Sequence, residues 1–139
     1  MSYLLDTNVV SERTRPQPDD NVRRWLRTHR VSETYLSVIT LAELEQGILR
    51  LGETRRAGEL QSFLANIERQ FQGRILPVDC RVAHAWATLT AGALREGKVL
   101  GYADSLIAAT AQAHDLTVVT RNTSDFAAAG VELVNPWEE

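Results

Sequence analysis

Tyr3-Leu4-Leu5-Asp6-Thr7-Asn8 places an acid directly after a short apolar run, and Thr117-Val118-Val119-Thr120 near the other end is a second such run, followed by the polar stretch Arg121-Asn122-Thr123-Ser124-Asp125. Short apolar runs bounded by turn residues read as strands buried on both faces, the habit of parallel sheets. The carboxyl ends of parallel strands open on one crevice. Asp6 and Asp125 are therefore expected to approach each other from opposite ends of the chain. Asp6 is also a natural cap for a following helix, and Asp125 taken alone is an ordinary turn acid.

Between these runs, strands and helices alternate. A strand is expected at 2–5, then an Arg/Pro-rich loop around 15–18 and a helix over 20–30 with Val22, Trp25 and Leu26 on its apolar stripe. A β-branched and aromatic strand follows at 34–39. Thr40 is expected to cap the next helix, with Glu43 three residues on in a capping-box pattern. Further helices are expected at 55–71, from Asp79 as cap to about 96, and at 103–114, with strands at 75–78, 117–120 and 132–134. This alternation predicts an α/β domain: a mostly parallel central sheet flanked by helices on both faces. Residues 1–139 read as one domain, with no internal repeat or linker.

Glu43 and Asp104 then join Asp6 and Asp125 from helix starts at the same sheet edge. Each acid alone has a bland role in capping or turn formation. Asp104, however, begins a helix whose next residues, Ser105-Leu106-Ile107-Ala108-Ala109, are too apolar to be solvated, and a carboxylate there needs a partner. Two carboxylates about 5 Å apart repel by roughly 3 kcal/mol at an effective dielectric of 20. A convergent quartet calls for a counterion, and ligands made only of oxygen favour Mg²⁺ or Mn²⁺. Asp79 reads as a helix cap and Glu12 as a solvated acid; both stay outside the set. His29, His84 and His114 have no zinc spacing to one another or to Cys80. Neither a phosphate-binding glycine loop nor a Gly-x-Ser-x-Gly elbow is present.

The chain of 139 residues carries a formal net charge of −3, which by itself disfavours a polyanionic partner. The distribution qualifies this, because Arg13, Arg15, Arg23, Arg24, Arg27 and Arg30 crowd one stretch. Arg23, Arg24 and Arg27 are candidates for RNA binding, with a solvated helix face as the alternative. The lone Cys80 fits a reducing compartment. No signal-like segment or spanning apolar run is read, so a cytoplasmic protein with no membrane partner is expected.

Four segments together carry a family resemblance: Leu4-Leu5-Asp6-Thr7-Asn8-Val9-Val10-Ser11-Glu12, Thr40-Leu41-Ala42-Glu43-Leu44-Glu45-Gln46-Gly47, Ala103-Asp104-Ser105-Leu106-Ile107-Ala108-Ala109-Thr110-Ala111, and Thr120-Arg121-Asn122-Thr123-Ser124-Asp125-Phe126. In this order they resemble the PIN-domain family, most closely VapC-type toxins of the FitB-like branch. The likeness runs to the closing Val134-Asn135-Pro136-Trp137. It implies a metal-dependent endoribonuclease with Asp6, Glu43, Asp104 and Asp125 as catalytic and metal-binding acids. Asn8, Thr120 and Asn122 would orient substrate or support those acids; their other reading is turn chemistry. The resemblance also implies a toxin that forms homodimers within a complex with a small, promoter-binding antitoxin. Two other readings stay open: a PIN-like module that binds RNA or protein without cutting, and a receiver-like phosphoacceptor domain using Asp79. Against the latter, Lys98 is the only lysine and precedes a helix, not late in the sheet. The RNA itself is not legible.

Overall fold

The computed structural model describes residues 1–139. Its centre is β1 (Tyr3–Leu5), flanked by β2 (Thr34–Ser37) and β4 (Thr117–Val119), with β3 (Ile75–Leu76) and β5 (Leu133–Val134) outside them. The order is β3-β2-β1-β4-β5, and every pairing is parallel. Tyr3 lies opposite Thr34 on one side and Thr117 on the other, which sets Leu5 beside Val119 at the carboxyl edge. The chain winds outward from β1 to β3, then returns to the far side of β1. The topological switch point is therefore between β1 and β4.

The helices are α1 (Thr7–Glu12), α2 (Asp20–Thr28), α3 (Val38–Leu49), α4 (Arg55–Gln70), α5 (Cys80–Arg95), α6 (Tyr102–His114) and the single turn α7 (Thr123–Phe126). Side chains alternate across a strand, and this splits the core in two. Tyr3, Leu5 and Val119 pack with Val9, Val10, Trp25, Ile67 and Phe71 on one face. Leu4 and Val118 pack with Leu89, Ile107, Ala108 and Phe126 on the other. The result is the three-layer arrangement expected from the alternation. Each fully buried Leu or Val contributes about 1.5–3 kcal/mol, and both faces need covering because β1 and β4 are buried throughout. Asp79 caps α5, its Oδ1 accepting from the Val82 N–H at 3.0 Å, as its position implies. No helix is long and apolar enough to cross a membrane.

Asp6 caps the helix that follows it, as its position implies, and buried Val9 and Val10 anchor that helix. Four expectations need correction. The strand at 34–39 ends at Ser37, whose hydroxyl accepts from the Ile39 N–H at 3.0 Å and starts α3 there. Thr40 is consequently not a cap but a buried residue inside α3, and Glu43 lies in the second turn, outside any capping box. Asp125 belongs to α7, which buries Phe126, and not to an irregular loop. Glu12 is only 6 % exposed; it accepts from the Asp19 N–H at 2.9 Å and pairs with Arg15 at 3.6 Å.

Candidate active site

Asp6 ends β1 with its own N–H donated to the Val119 carbonyl at 2.9 Å, so its backbone is tied across the switch point. Its side chain is 4 % exposed. The Thr7 N–H donates to Oδ1 at 2.8 Å, and the Thr120 hydroxyl donates to Oδ2 at 2.7 Å. Thr120 follows β4 directly, so one hydrogen bond joins the carboxyl ends of the two switch-point strands. The Thr120 oxygen also accepts from the Asn122 N–H at 3.0 Å and from Asn8 Nδ2 at 3.4 Å, which uses both its lone pairs. Asn8 Nδ2 reaches Asp6 Oδ2 at 3.3 Å, and Asn8 Oδ1 accepts from the Arg121 N–H at 3.3 Å. Asn8 and Thr120 thus orient Asp6. Asn122 takes part through its backbone, and its exposed side chain caps nothing.

Glu43 arrives from α3. Its Oε1 accepts from the Thr7 hydroxyl at 2.6 Å, while the Thr40 oxygen stands 3.4 Å from Thr7 Oγ1. A hydroxyl has one proton, and the shorter contact takes it. Thr7 therefore bridges two acids: its backbone holds Asp6 and its side chain holds Glu43. This residue was not singled out in the sequence, although its place directly after a strand-ending acid was the available signal. Asp104 lies in the first turn of α6 and Asp125 in α7. Both line a hollow of about 320 Å³ with Lys98, Gly101 and Ser124.

All four acids share one field. Burial pushes the Asp6 carboxyl above the ordinary carboxylate range, against the lowering hydrogen bonds from Thr120 and Thr7, and the charges of Glu43 and Asp125 raise it further. Asp104 is pushed up to about 6, first by burial and then by Asp6, Asp125 and Glu43. Burial alone disfavours charge, but at Asp104 the charges of the three other carboxylates add to it, which requires them to lie close by. No ion pair in the molecule includes any of the four. The donor set is thus oxygen-only and lacks a basic counterion, which suits a hard divalent cation. No three His, Cys, Asp or Glu side chains stand together as a cage able to hold a metal ion. Such a cage is not required, because Mg²⁺ commonly takes one or two carboxylates and fills its other positions with water and phosphate oxygens.

The arginines stand apart from this cluster. Arg23 pairs with Asp20 at 3.8 Å, Arg24 donates to Asn21 Oδ1 at 3.3 Å, and Arg27 is exposed in the last turn of α2. None offsets the charge at Asp6 or Asp104.

Residues 3–132 match the PIN domain. The chain is 45 % identical over 137 residues to Toxin FitB of Neisseria gonorrhoeae, covering 98 % of this chain and 99 % of the relative. It is 43 % identical over 136 residues to VapC ribonuclease Y4jK of Sinorhizobium fredii, covering 97 % of each. Among solved structures it is similar to FitAcB from Neisseria gonorrhoeae, with TM-score 0.93, 45 % identity and 99 % of each chain covered. It is also similar to VapBC2 from Rickettsia felis bound to a DNA fragment from their promoter, with TM-score 0.79, 25 % identity and 97 % and 98 % coverage. With the domain matched over nearly its whole length and its fold superposed end to end, the chain belongs to the PIN-domain family.

Proposed function

We propose that this chain is a single-domain, metal-dependent endoribonuclease and the toxin of a toxin–antitoxin pair. The observation that carries the reading is the set of four carboxylates at the β1/β4 switch point with no basic partner. Relatives named a VapC ribonuclease and Toxin FitB at above 40 % identity support the same reading. Asp6, Glu43, Asp104 and Asp125 are the residues that would hold Mg²⁺ or Mn²⁺. When bound, that ion supplies Lewis-acid activation of water and offsets the charge developing on the leaving 3′ oxygen.

The chain's own contribution is to keep the acids in place and charged. Thr120 and the Thr7 amide fix the two oxygens of Asp6, and the Thr7 hydroxyl fixes Glu43. Burial and the neighbouring acids push the Asp104 carboxyl up to about 6, and a bound cation would favour its charged form. Water adds to phosphorus, the P–O3′ bond breaks, and the products carry a 5′ phosphate and a 3′ hydroxyl. Arg23, Arg24 and Arg27 would act at a distance, on the affinity for the RNA backbone.

The partner follows from the relatives, whose structures include a toxin–antitoxin pair bound to promoter DNA. A small antitoxin would insert an Arg among the uncompensated acids and cover apolar residues of α3 and α4, where Leu44, Ile48, Leu60 and Leu64 line a cleft. Toxin homodimers within that complex, in the cytoplasm, complete the proposal.

Purified free protein should cut RNA in Mg²⁺ and stop in EDTA, and the coexpressed neighbouring small protein should copurify and silence it. Cleavage indifferent to EDTA, or ending in 2′,3′-cyclic phosphates, overturns the mechanism. A metal-saturated protein that binds RNA and leaves it intact would favour the non-catalytic module.

A further inference from the structure

The closing Asn135-Pro136-Trp137 segment has no part in the site as described, yet it lies between the acids and the basic helix α2. Asn8 Nδ2 reaches Asp6 Oδ2, and Asn8 Oδ1 accepts from the Arg121 N–H. The backbone of Arg121 is thus pinned one residue beyond the hydroxyl that holds Asp6. The Arg121 guanidinium lies over the Trp137 indole, 5.2 Å from the ring centroid. Trp137 is itself fixed: its N–H donates to Asn135 Oδ1 at 3.0 Å, its carbonyl accepts from Asn21 Nδ2 at 2.9 Å, and it packs against the cluster that holds Val9, Val22 and Trp25. Asn21 Oδ1 in turn accepts from Arg24. Contacts therefore run without a break from Asp6 through Asn8, Arg121, Trp137 and Asn21 to Arg24. Neither arginine on this line is neutralised. Arg121 is exposed and enters no ion pair, although Glu138 and Glu139 follow Trp137, and the partner of Arg24 is a neutral amide.

We propose that Arg121 is a positioning residue that contacts a backbone phosphate of the RNA outside the acids, with Trp137 holding its guanidinium, so that the strand leaves the site toward Arg24 on α2. This rests on the ribonuclease reading and deepens it by giving the substrate a path. Four carboxylates repel a polyanion, and a cation bound among them answers only the phosphate it ligates. The neighbouring phosphates need positive charge at the border of the acids. The stretch from Thr120 to Asp125, which supplies one acid and the support of another, carries a single basic residue, Arg121. An indole face holds a guanidinium without consuming its N–H donors. It also restricts the side chain beforehand, which lowers the ordering cost of binding. An acidic protein segment would meet the same guanidinium, but the adjoining acids disfavour it, whereas a phosphodiester strand is bridged to them by metal.

The test uses the full chain with Glu43→Gln, so that binding is read without hydrolysis, and a fluorescent, mixed-sequence single-stranded oligoribonucleotide titrated over a range of salt at fixed Mg²⁺. Adding Arg121→Ala should reduce the slope of log affinity against log salt by about 0.7, the share of one phosphate on a single strand. Arg24→Ala should do the same, and the double variant about twice as much. Arg121→Lys keeps the charge and should keep the slope. Arg69→Ala, on α4, is the control for losing any one positive charge and should leave the slope unchanged. Cleavage of progressively shorter substrates gives the order along the path: Arg121→Ala should still raise KM at a length where Arg24→Ala no longer does. An unchanged slope in Arg121→Ala with a lowered melting temperature would reduce the residue to a clamp on Trp137 and overturn the path. An equal loss of slope in Arg69→Ala, or an Arg121 effect confined to binding of the coexpressed small protein, would overturn it too. Wild-type cleavage with and without EDTA is scored separately. A charge-dependent loss of binding in a protein that cuts nothing would keep the path and remove the nuclease; EDTA-sensitive cleavage with an unchanged slope would do the opposite.

Discussion

Asp6 and Glu12 bracket the same short helix, and both are almost fully buried. Glu12 is answered: the Asp19 N–H and the Arg15 guanidinium face it, and it closes the chain's turn into α2. Asp6 is held by hydroxyl and amide donors, yet Glu43 and Asp125 add to the charge around it, and no basic side chain pairs with them. Burial is therefore not what separates a functional acid from a structural one. The separation lies in whether the surroundings settle the charge or leave it for something that binds.

The largest difference should appear in catalysis. Asp6→Asn should lower RNA cleavage at least roughly a hundredfold, a scale seen when one designed electrostatic contact at a reacting centre is lost. Glu43→Gln and Asp104→Asn should behave alike, and doubles should cost little more than singles, because the acids act as a unit. Glu12→Ala should instead leave the turnover of the folded fraction near wild type while lowering stability by about 1 kcal/mol, the order of one lost hydrogen bond from the partly buried Asp19 N–H. Steady-state cleavage rates beside urea melts of the same preparations read both arms. A Glu12 variant that folds but does not cut would break the comparison.

Thr120→Val should weaken Mg²⁺ binding about tenfold to a hundredfold, the usual cost of removing a group that orients a ligand. Its effect should disappear in an Asp6→Asn background, since it acts through that carboxylate. Calorimetric titration of single and double variants checks this, and an undiminished Thr120 effect without Asp6 would assign the hydroxyl another task.

Stability should follow the same division. At one hundred times its dissociation constant Mg²⁺ adds about 2.7 kcal/mol to the folded state, a gain that Glu12→Gln keeps and Asp6→Asn loses. Without metal, folded Asp104 holds its proton to about pH 6, while the unfolded chain releases it near pH 4. Between those values the folded state binds more protons, so stability should fall as pH rises through the window and level off above it. Asp6 pushes in the same direction. Melting temperatures from pH 4 to 8 should show this fall in EDTA, and Asp104→Asn should flatten it.

The smallest expected effect belongs to α2. Replacing Arg23, Arg24 and Arg27 by Ala should reduce the salt slope of RNA binding and leave cleavage of saturating substrate unchanged. An unaltered slope would return these side chains to a solvated helix face, in keeping with their local pairing to Asp20 and Asn21.

The sequence made the strand-ending acids legible because strand, turn and acid are neighbours there. β1 and β4 are uninterrupted apolar runs, and parallel topology alone carries Asp6 toward the loop after β4. What escaped was set by tertiary contacts. α1 is too short to show a helical period, and its stability comes from Val9 and Val10 under β1 and from the Asp6 cap. Val38 and Ile39 are β-branched and read as strand, with Thr40 as the helix cap, but the Ser37 hydroxyl and packing beside α4 and α6 make all three the first turn of α3. Glu12 read as solvated because its partner amide lies across a loop whose path no local pattern reveals. Thr7 went unnoticed for the same reason: the Glu43 carboxylate it holds comes from another helix.

The most direct test of the distinction between the two buried acids is Mn²⁺ binding followed by electron paramagnetic resonance at pH 7.5 for wild type, Glu12→Gln and Asp6→Asn. Wild type and Glu12→Gln should remove free Mn²⁺ with the same affinity, and Asp6→Asn should be weaker by at least roughly tenfold, since ligand loss should cost no less than loss of a supporting group. Equal binding by all three, or binding lost only in Glu12→Gln, would contradict the assignment of the β1/β4 acids as the metal site.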